Sequence, residues 1–449
     1  MQSMNDNSDI FFLKEFFREL QRENITYCIL RNATEIEEGD AHDIDITIDI
    51  SRIQAAEEAL YRTANQHGWR LHLKTGNVKN NLDNKTCYHY FLIDEKNQLI
   101  HVVHIDVFPT INWQGIELMP NSAIISNIRP NGLFPMAARS VEATCNLFTN
   151  LLFNGHVKDK YKETIQQFFQ EAPDESERML RYFLSKEMAQ HVYKLACSAQ
   201  WDTINNERTK LINDIYRNAR HTKWNHFRYR LAKALHRKGI VVAFQGTDGS
   251  GKSTVINGIP KLIGNSFSGD MLKYYHWRPG FIHSEKKFTP DGQLLTNVPP
   301  HTQKAHGKIK SFAKMVFYTL DYVLGYLGEV YWKAARGNLV IFDRYYYDFY
   351  MDKVRYRLSI GNRVVRFFHR FIPAPDITIL LIGNAQKIFE RKQELTVEEI
   401  QQQTDLLIKN QSKFANPIII DANQSIPQVQ FSVCKKILES LAIRNTPLR

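Results

Sequence analysis

The sequence predicts an α/β protein, and three observations carry that prediction. Asp43-Ile-Asp-Ile-Thr-Ile-Asp-Ile50 alternates polar and apolar residues, the period-2 pattern of a strand with one polar and one apolar face. From about residue 120 to 238 the pattern is mainly helical. From Gly239 onward, apolar runs at Ile240–Phe244, Leu339–Phe342, Ile377–Ile382 and Pro417–Ile420 alternate with helical stretches. Strands alternating with helices imply a parallel sheet covered by helices on both faces.

Taken in order, residues 9–24 place Ile10, Phe11, Leu13, Phe16, Phe17 and Leu20 at helical spacing. A strand is expected at 27–30, then the alternating strand at 43–50, a helix over 53–67, and strands at 69–73, 87–93 and 100–108. Residues 1–118 thus read as an α/β or α+β domain. The region 119–238 reads as a helical domain and basic linker, with helices at 140–154 and 160–169 and Asp174 as the N-cap of the next. Residues 239–449 form the third region. His104 falls on the face of Asp106 by alternation, His301 and His306 fall in a loop, and Tyr345, Tyr346 and Tyr347 are expected to pack locally.

With 449 residues, 43% of them hydrophobic, the chain can build real cores, which excludes a disordered class. A net charge of +11 suits anionic ligands: nucleotides, nucleic acid or an acidic membrane surface. The stretch Arg217–Lys238, basic and interleaved with Trp224, Phe227 and Tyr229, reads either as a solvated helix or linker, or as a surface for phosphates or membrane. The five cysteines are scattered without zinc spacing, which suits a reducing compartment. The amino end has no basic flank before an apolar run, so a cytoplasmic address is expected. The stretch Met315–Ala335 carries Asp321, Glu329 and Lys333 and reads as a buried helix rather than a span.

The strongest chemical signal is Gly246-Thr-Asp-Gly-Ser-Gly251-Lys252-Ser253, which fits the Walker A pattern. An apolar strand runs into it. An apolar-periodic segment from Val255 to Ile263 leaves it, read as a short or irregular helix because of Gly258 and Pro260. Glycines at 246, 249 and 251 let backbone N–H groups turn inward around a phosphate chain, and a helix N-terminus adds a favourable dipole. In that pattern Ser250 and Thr254 flank the phosphates, Lys252 reaches the β/γ phosphates, and the Ser253 hydroxyl ligates Mg²⁺.

Together with three further segments, this loop resembles thymidylate kinases over roughly residues 240–440. His276-Trp-Arg278-Pro-Gly280 resembles their TREPGG-type loop, Leu339-Val-Ile-Phe-Asp343-Arg344-Tyr345 their DRY strand, and Pro375–Ile382 with Phe389-Glu-Arg391-Lys392-Gln-Glu394 their fourth strand and lid. The resemblance implies an ATP- and Mg²⁺-dependent phosphotransferase in which Asp248 touches a sugar hydroxyl of the acceptor. Phosphoryl transfer needs positioning and charge neutralisation more than covalent catalysis. Asp343 is then placed for Mg²⁺, Arg344 for the acceptor phosphate, Arg278 for the acceptor side, and Arg391 or Lys392 for closure over the transferring group. Gln245 stands where many members have Glu, and the segments Tyr326–Trp332 and Tyr350–Arg357 replace the family's acceptor-reading residues. The donor half is intact and the acceptor half is rewritten, with dTMP the family default.

Asp43 and Asp45 point to one face of their strand, about 6.6 Å apart along the backbone. Asp106, in the apolar run Val102–Phe108, supplies a third acid if the two strands are neighbours, and three carboxylates suit Mg²⁺. The order helix, strand, loop, D-h-D, later Asp resembles the nucleotidyltransferase fold over residues 10–115, with Arg31-Asn32 where that family has Gly-Ser. Three readings stay open for these acids: an acidic solvent face, a domain that binds without catalysis, and nucleotidyl transfer to a sugar or other small acceptor. For the whole chain the leading expectation is phosphoryl transfer from ATP to a nucleoside monophosphate or a related small molecule. A nucleotide-gated protein that binds nucleic acid or membrane is the non-enzymatic alternative.

Overall fold

The structure is a computed structural model. It describes residues 7–31, 43–75, 86–131, 134–218, 239–263, 272–282 and 305–445, with Trp224, Phe227, Arg228, Leu231 and Phe267. Asn32, most of the basic stretch after Asn218, and His301 lie outside the described residues. The chain forms two compact units, the first drawn mainly from residues up to Lys233 and the second mainly from Ala234–Arg444.

The first unit opens with α1 (Asn7–Arg22), β1 (Tyr27–Ile29), β2 (Asp43–Ile48), α2 (Ile53–Gln66), β3 (Arg70–Thr75), β4 (Thr86–Asp94) and β5 (Leu99–Val107). A short hairpin, β6 (Ile111–Trp113) and β7 (Ile116–Met119), precedes α3 (Asn121–Ile125), β8 (Ile128–Asn131) and β9 (Phe134–Ala137). Seven of these strands form a mixed sheet in the order β3-β4-β5-β2-β1-β9-β8, so the sheet draws on strands beyond residue 118. One of its faces is apolar: Ile44, Ile46, Ile48, Val103, Ile105 and Val107 pack with Phe12, Phe16 and Phe17 of α1 and Ala59 and Leu60 of α2. The expected strand at 43–50 ends early, at Ile48. The Asp49 carboxylate instead accepts the Ser51 N–H at 2.9 Å and starts a turn, a common competition between Asp and extended backbone.

Six helices follow: α4 (Arg139–Thr149), α5 (Asp159–Glu171), α6 (Pro173–Leu180), α7 (Lys186–Cys197), α8 (Trp201–Asn206) and α9 (Arg208–Asn218). They share one core that includes Phe148, Phe169, Leu180, Val192 and Ile215. The π-helical turn Asn150–Asn154 extends α4 to Gly155, whose φ of 85° ends it. Asp174 is not the N-cap of α6; Ala172 is. Pro173 takes the first helical position, where its fixed φ and missing N–H cost nothing, and Asp174 joins the first turn, where its charge suits the dipole.

The second unit is built on β10 (Ile240–Gln245), α10 (Lys252–Ile263), β11 (Leu272–His276), α11 (Lys308–Gly325), α12 (Tyr331–Ala335), β12 (Leu339–Asp343), α13 (Asn362–His369), β13 (Ile377–Ile382), α14 (Ala385–Arg391), α15 (Val397–Asn410), β14 (Pro417–Asp421) and α16 (Ile426–Asn445). Its sheet order is β11-β12-β10-β13-β14, and every neighbouring pair is parallel. Every residue of β10 and β12 is buried, so the sheet is covered on both faces, as a run without polar alternation requires. Helix α10 is neither short nor broken: it runs twelve residues through Gly258 and Pro260. Burial of Val255, Ile256, Ile259 and Ile263 outweighs the one backbone hydrogen bond that Pro260 cannot donate. The stretch Met315–Ala335 is helical but buried on one face only; Val316, Leu320, Leu324 and Leu327 are exposed. Among the described residues no helix is long and apolar enough to cross a membrane.

Candidate functional site

In the second unit the carboxyl ends of the central strands bring Phe244, His276 and Asp343 into one row, since Phe244 and His276 both pair with Asp343 across the register. Ligands of open α/β sheets bind at that edge. The chain leaves β10 through the glycine loop and enters α10 at Lys252. Gly246 admits no side chain: an added Cβ would sit 2.7 Å from Ser250 Oγ and 2.8 Å from the Leu381 carbonyl oxygen. Gly249 and Gly251 have φ of 84° and 89°, conformations that favour glycine.

A cavity of 550 Å³ opens over this loop. Its wall includes Asp248, Gly249, Ser250, Gly251, Lys252, Ser253 and Thr254, then His276, Asp343, Arg344, Arg355, Arg391, Lys392 and Glu394. The volume falls in the range of small-molecule sites. Lys252 is 6% exposed, and its ammonium donates to the carbonyls of Gly246 and Thr247, both at 2.8 Å. Burial and then the neighbouring Arg344 push its pKa down to about 7, against the pull of Asp248, Asp343 and Asp348. Three polar atoms around the loop, Thr247 Oγ1, Ser250 Oγ and Asp343 Oδ1, are buried with no hydrogen-bond partner. Most buried polar atoms are hydrogen-bonded, and a bound ligand or ion is one account of these three.

Asp343 ends β12 and is 4% exposed. Its Oδ2 accepts from Ser253 Oγ at 3.3 Å and from the Tyr274 hydroxyl at 3.1 Å. This oxygen-only set, with Oδ1 unpartnered, fits the hard-donor preference of Mg²⁺.

Arg344, with φ of 76°, turns back over the loop. One of its nitrogens donates to Asp248 and another to Asp348 Oδ2 at 2.9 Å. Asp348 is wholly buried and also accepts from the Tyr356 hydroxyl at 2.7 Å. The Gln245 side-chain amide, oriented to satisfy its neighbours, donates to the other Asp348 oxygen at 2.6 Å. Arg355 completes the network, donating to Asp248 Oδ2 at 2.9 Å. Burial alone would raise the Asp248 carboxyl; Arg344, Arg355, Lys252 and Lys392 outweigh it and lower it. Sequence reasoning does not single out Arg355 as a site residue. The signal is there in part, in an Asp-Lys-Val-Arg run in a replaced segment, but its partner lies 107 residues away.

Of the other expected site residues, Arg391 and Lys392 stand on the cavity wall and Arg278 does not. Arg278 lies off the cavity wall, bonded to the fully buried Asp321 at 2.7 Å and set against the rings of Trp277, Phe317 and Tyr318. Arg391 donates to the Ala422 carbonyl at 3.0 Å from the end of α14, and Lys392 pairs with Glu394 at 3.1 Å. Tyr345, Tyr346 and Tyr347 are buried; Tyr346 donates to the Val365 carbonyl at 2.9 Å, and the Tyr347 oxygen accepts the Ala415 N–H at 3.0 Å.

In the first unit β2 and β5 are parallel neighbours, which sets Asp45 opposite Asp106 and Asp43 opposite His104. The Asp43 side chain lies outside the described residues. Asp45 is bonded by Arg31, and Asp106 accepts from Cys87. Arg31 thus spends its charge on a carboxylate. The same sheet face carries His72, His89 and His104, with the last two rings 4.0 Å apart. Among the described residues no three metal-ligating side chains stand together in a group that could hold an ion.

No family model matches the chain, and no curated protein matches it. Among solved structures, thymidylate kinase from Ehrlichia chaffeensis is similar at 18% identity over 44% of this chain and 98% of that one, with a TM-score of 0.29. A likeness that weak carries no weight for the function of this chain.

Proposed function

We propose that the second unit binds a nucleoside triphosphate in the cavity over the glycine loop and transfers its terminal phosphoryl group to a small acceptor. The observation that supports this best is the set of orphaned polar atoms, Thr247 Oγ1, Ser250 Oγ and Asp343 Oδ1, around a loop that tolerates no side chain at Gly246. Phosphate oxygens at that loop would meet inward backbone N–H groups, the N-terminus of α10 and the Lys252 ammonium, charges that suit an anion. Arg391 and Lys392 add positive charge on the cavity wall. Ser253 and Asp343 would hold Mg²⁺, which when bound neutralises triphosphate charge. ATP is the expected donor, with the acceptor a nucleoside monophosphate or a hydroxyl-bearing molecule. Lys252→Ala should abolish ADP formation from ATP and remove the thermal stabilisation by an unreactive ATP analogue. A purified mutant with unchanged turnover would refute the assignment.

A second reading is nucleotidyl transfer at Asp43, Asp45 and Asp106 of the first unit. It is favoured by the register that sets Asp45 opposite Asp106. Pyrophosphate release from labelled nucleoside triphosphates, lost in Asp43→Ala or Asp45→Ala, is the expected sign. Release that survives both substitutions removes this reading.

A further inference from the structure

The acceptor side of the cavity shows an unexpected charge balance. A phosphorylated acceptor brings about two negative charges up against the terminal phosphate of the donor. A site built for it needs guanidinium groups whose charge is not already spent. Among the described residues, Arg344 and Arg355 on the cavity wall and Arg278 beside it are each paired with a carboxylate, whereas Arg391 bonds a backbone carbonyl and is left for the donor phosphates.

Arg344 is held by Asp248 and by Asp348. Arg355 is held by Asp248. Arg278 is held by Asp321, whose oxygens also accept the backbone N–H of Gly280 at 3.1 Å and of Ile282 at 2.6 Å. Asp321 and Asp348 have no exposed side-chain surface, so neither can swing into water to release its arginine. Separating either pair would leave a buried charge uncompensated, a large cost in low dielectric. Among the described residues these three arginines and three carboxylates therefore leave the acceptor side close to neutral.

Asp248 differs from the other two carboxylates because it lines the cavity. It stands on the same wall as Lys252, Ser253 and Asp343. Its two oxygens each take one guanidinium, and an ionised carboxylate has about four lone-pair positions. The two arginines thus hold it ionised and fix its orientation while leaving room for another donor.

We propose that the acceptor is a neutral hydroxyl compound, such as a sugar or nucleoside, and that Asp248 receives the proton of the attacked hydroxyl. This rests on the reading of the loop as a triphosphate site. In the step, the acceptor oxygen forms a bond to the γ-phosphorus as the bond from that phosphorus to the β,γ-bridging oxygen breaks. The electron pair stays on the bridging oxygen, which leaves in the nucleoside diphosphate. The hydroxyl proton passes to the Asp248 carboxylate and then to solvent. A carboxylate with a low pKa suffices, because a loose phosphoryl-transfer transition state asks little of its base. Arg355 is then a positioning residue for Asp248.

The test uses the full chain with ATP and Mg²⁺. It offers free hexoses, polyols and nucleosides against their monophosphates, and reads the product by phosphorus NMR. Transfer to a hydroxyl gives a phosphomonoester, and transfer to a phosphate gives a phosphoanhydride; the first is expected. In parallel, Asp248→Asn should slow transfer to the best hydroxyl acceptor, or to water, by about a hundredfold or more. It should still be stabilised by the unreactive ATP analogue, which shows that it is folded. A phosphoanhydride product overturns the proposal, as does an Asp248→Asn protein with the parent rate, or a protein that binds the analogue yet transfers to no hydroxyl compound. A parent protein that neither binds the analogue nor consumes ATP instead defeats the triphosphate reading beneath it.

Discussion

Lys252 shows what a single residue's surroundings do to its chemistry. An ordinary lysine is charged at neutral pH, but burial and Arg344 bring this one down to about 7. Phosphate oxygens favour its charged form, so the bound state has the higher pKa. The sign comes from linkage: wherever the bound state holds more protons than the free one, binding weakens as pH rises. Above pH 7 the affinity for an ATP analogue should fall, by up to about tenfold per pH unit until the bound lysine itself titrates. Calorimetry at pH 8 in buffers of different ionisation enthalpy should show uptake of close to one proton. No uptake would mean that the free Lys252 is already charged.

Elements place these residues, and the glycine loop and α11 do so in different ways. At the loop, Gly246→Ala would drive a Cβ against the Leu381 carbonyl and Ser250 Oγ. The backbone there must shift, so thermal stabilisation by the nucleotide analogue should be lost even if the fold survives. At α11, Asp321 anchors the segment Arg278–Ile282 through one guanidinium and two backbone N–H groups. Asp321→Ala takes the carboxylate from the half-buried Arg278 and from two backbone N–H groups and should cost about 3 kcal/mol, seen as a fall in the denaturation midpoint. Both segments are legible as motifs: the glycine spacing points to the loop, and the WRPG run marks the second. The partner of Arg278 is not legible, since in the sequence Asp321 is only a charge arguing against a membrane span.

Across the whole molecule, pH acts through groups that have no part in the proposed transfer. His72 is fully buried, and burial together with His104 lowers its pKa well below the usual value. The folded state therefore holds it neutral, while the unfolded chain takes up a proton near pH 6.5. Stability is retained above that pH and lost as pH falls below it, by up to about 1.4 kcal/mol per pH unit for this one group. Urea denaturation from pH 7.5 to 5 should show the loss in the transition of the first unit, and His72→Phe should flatten it. An unchanged slope in that variant would assign the acid sensitivity elsewhere.

Local pattern alone was enough for several features of this protein. Alternation put Asp45 on the polar face of its strand, and apolar runs located four of the five parallel strands of the second unit to within a residue or two at each end. Glycine spacing after a strand marked the loop. These are short-range properties: side-chain direction repeats every two or 3.6 residues and is written along the chain. Only the tertiary structure decided the partners. It brought Arg355 to Asp248, Asp348 to Arg344 and Asp321 to Arg278, and it set Arg31 on Asp45. Periodicity tells which face a charge occupies but not which opposite charge the fold will bury against it, because that depends on how distant segments pack. The glycine loop could be read from its own eight residues, whereas the pairing of Arg344, Arg355 and Arg278 with their carboxylates exists only once the chain has folded.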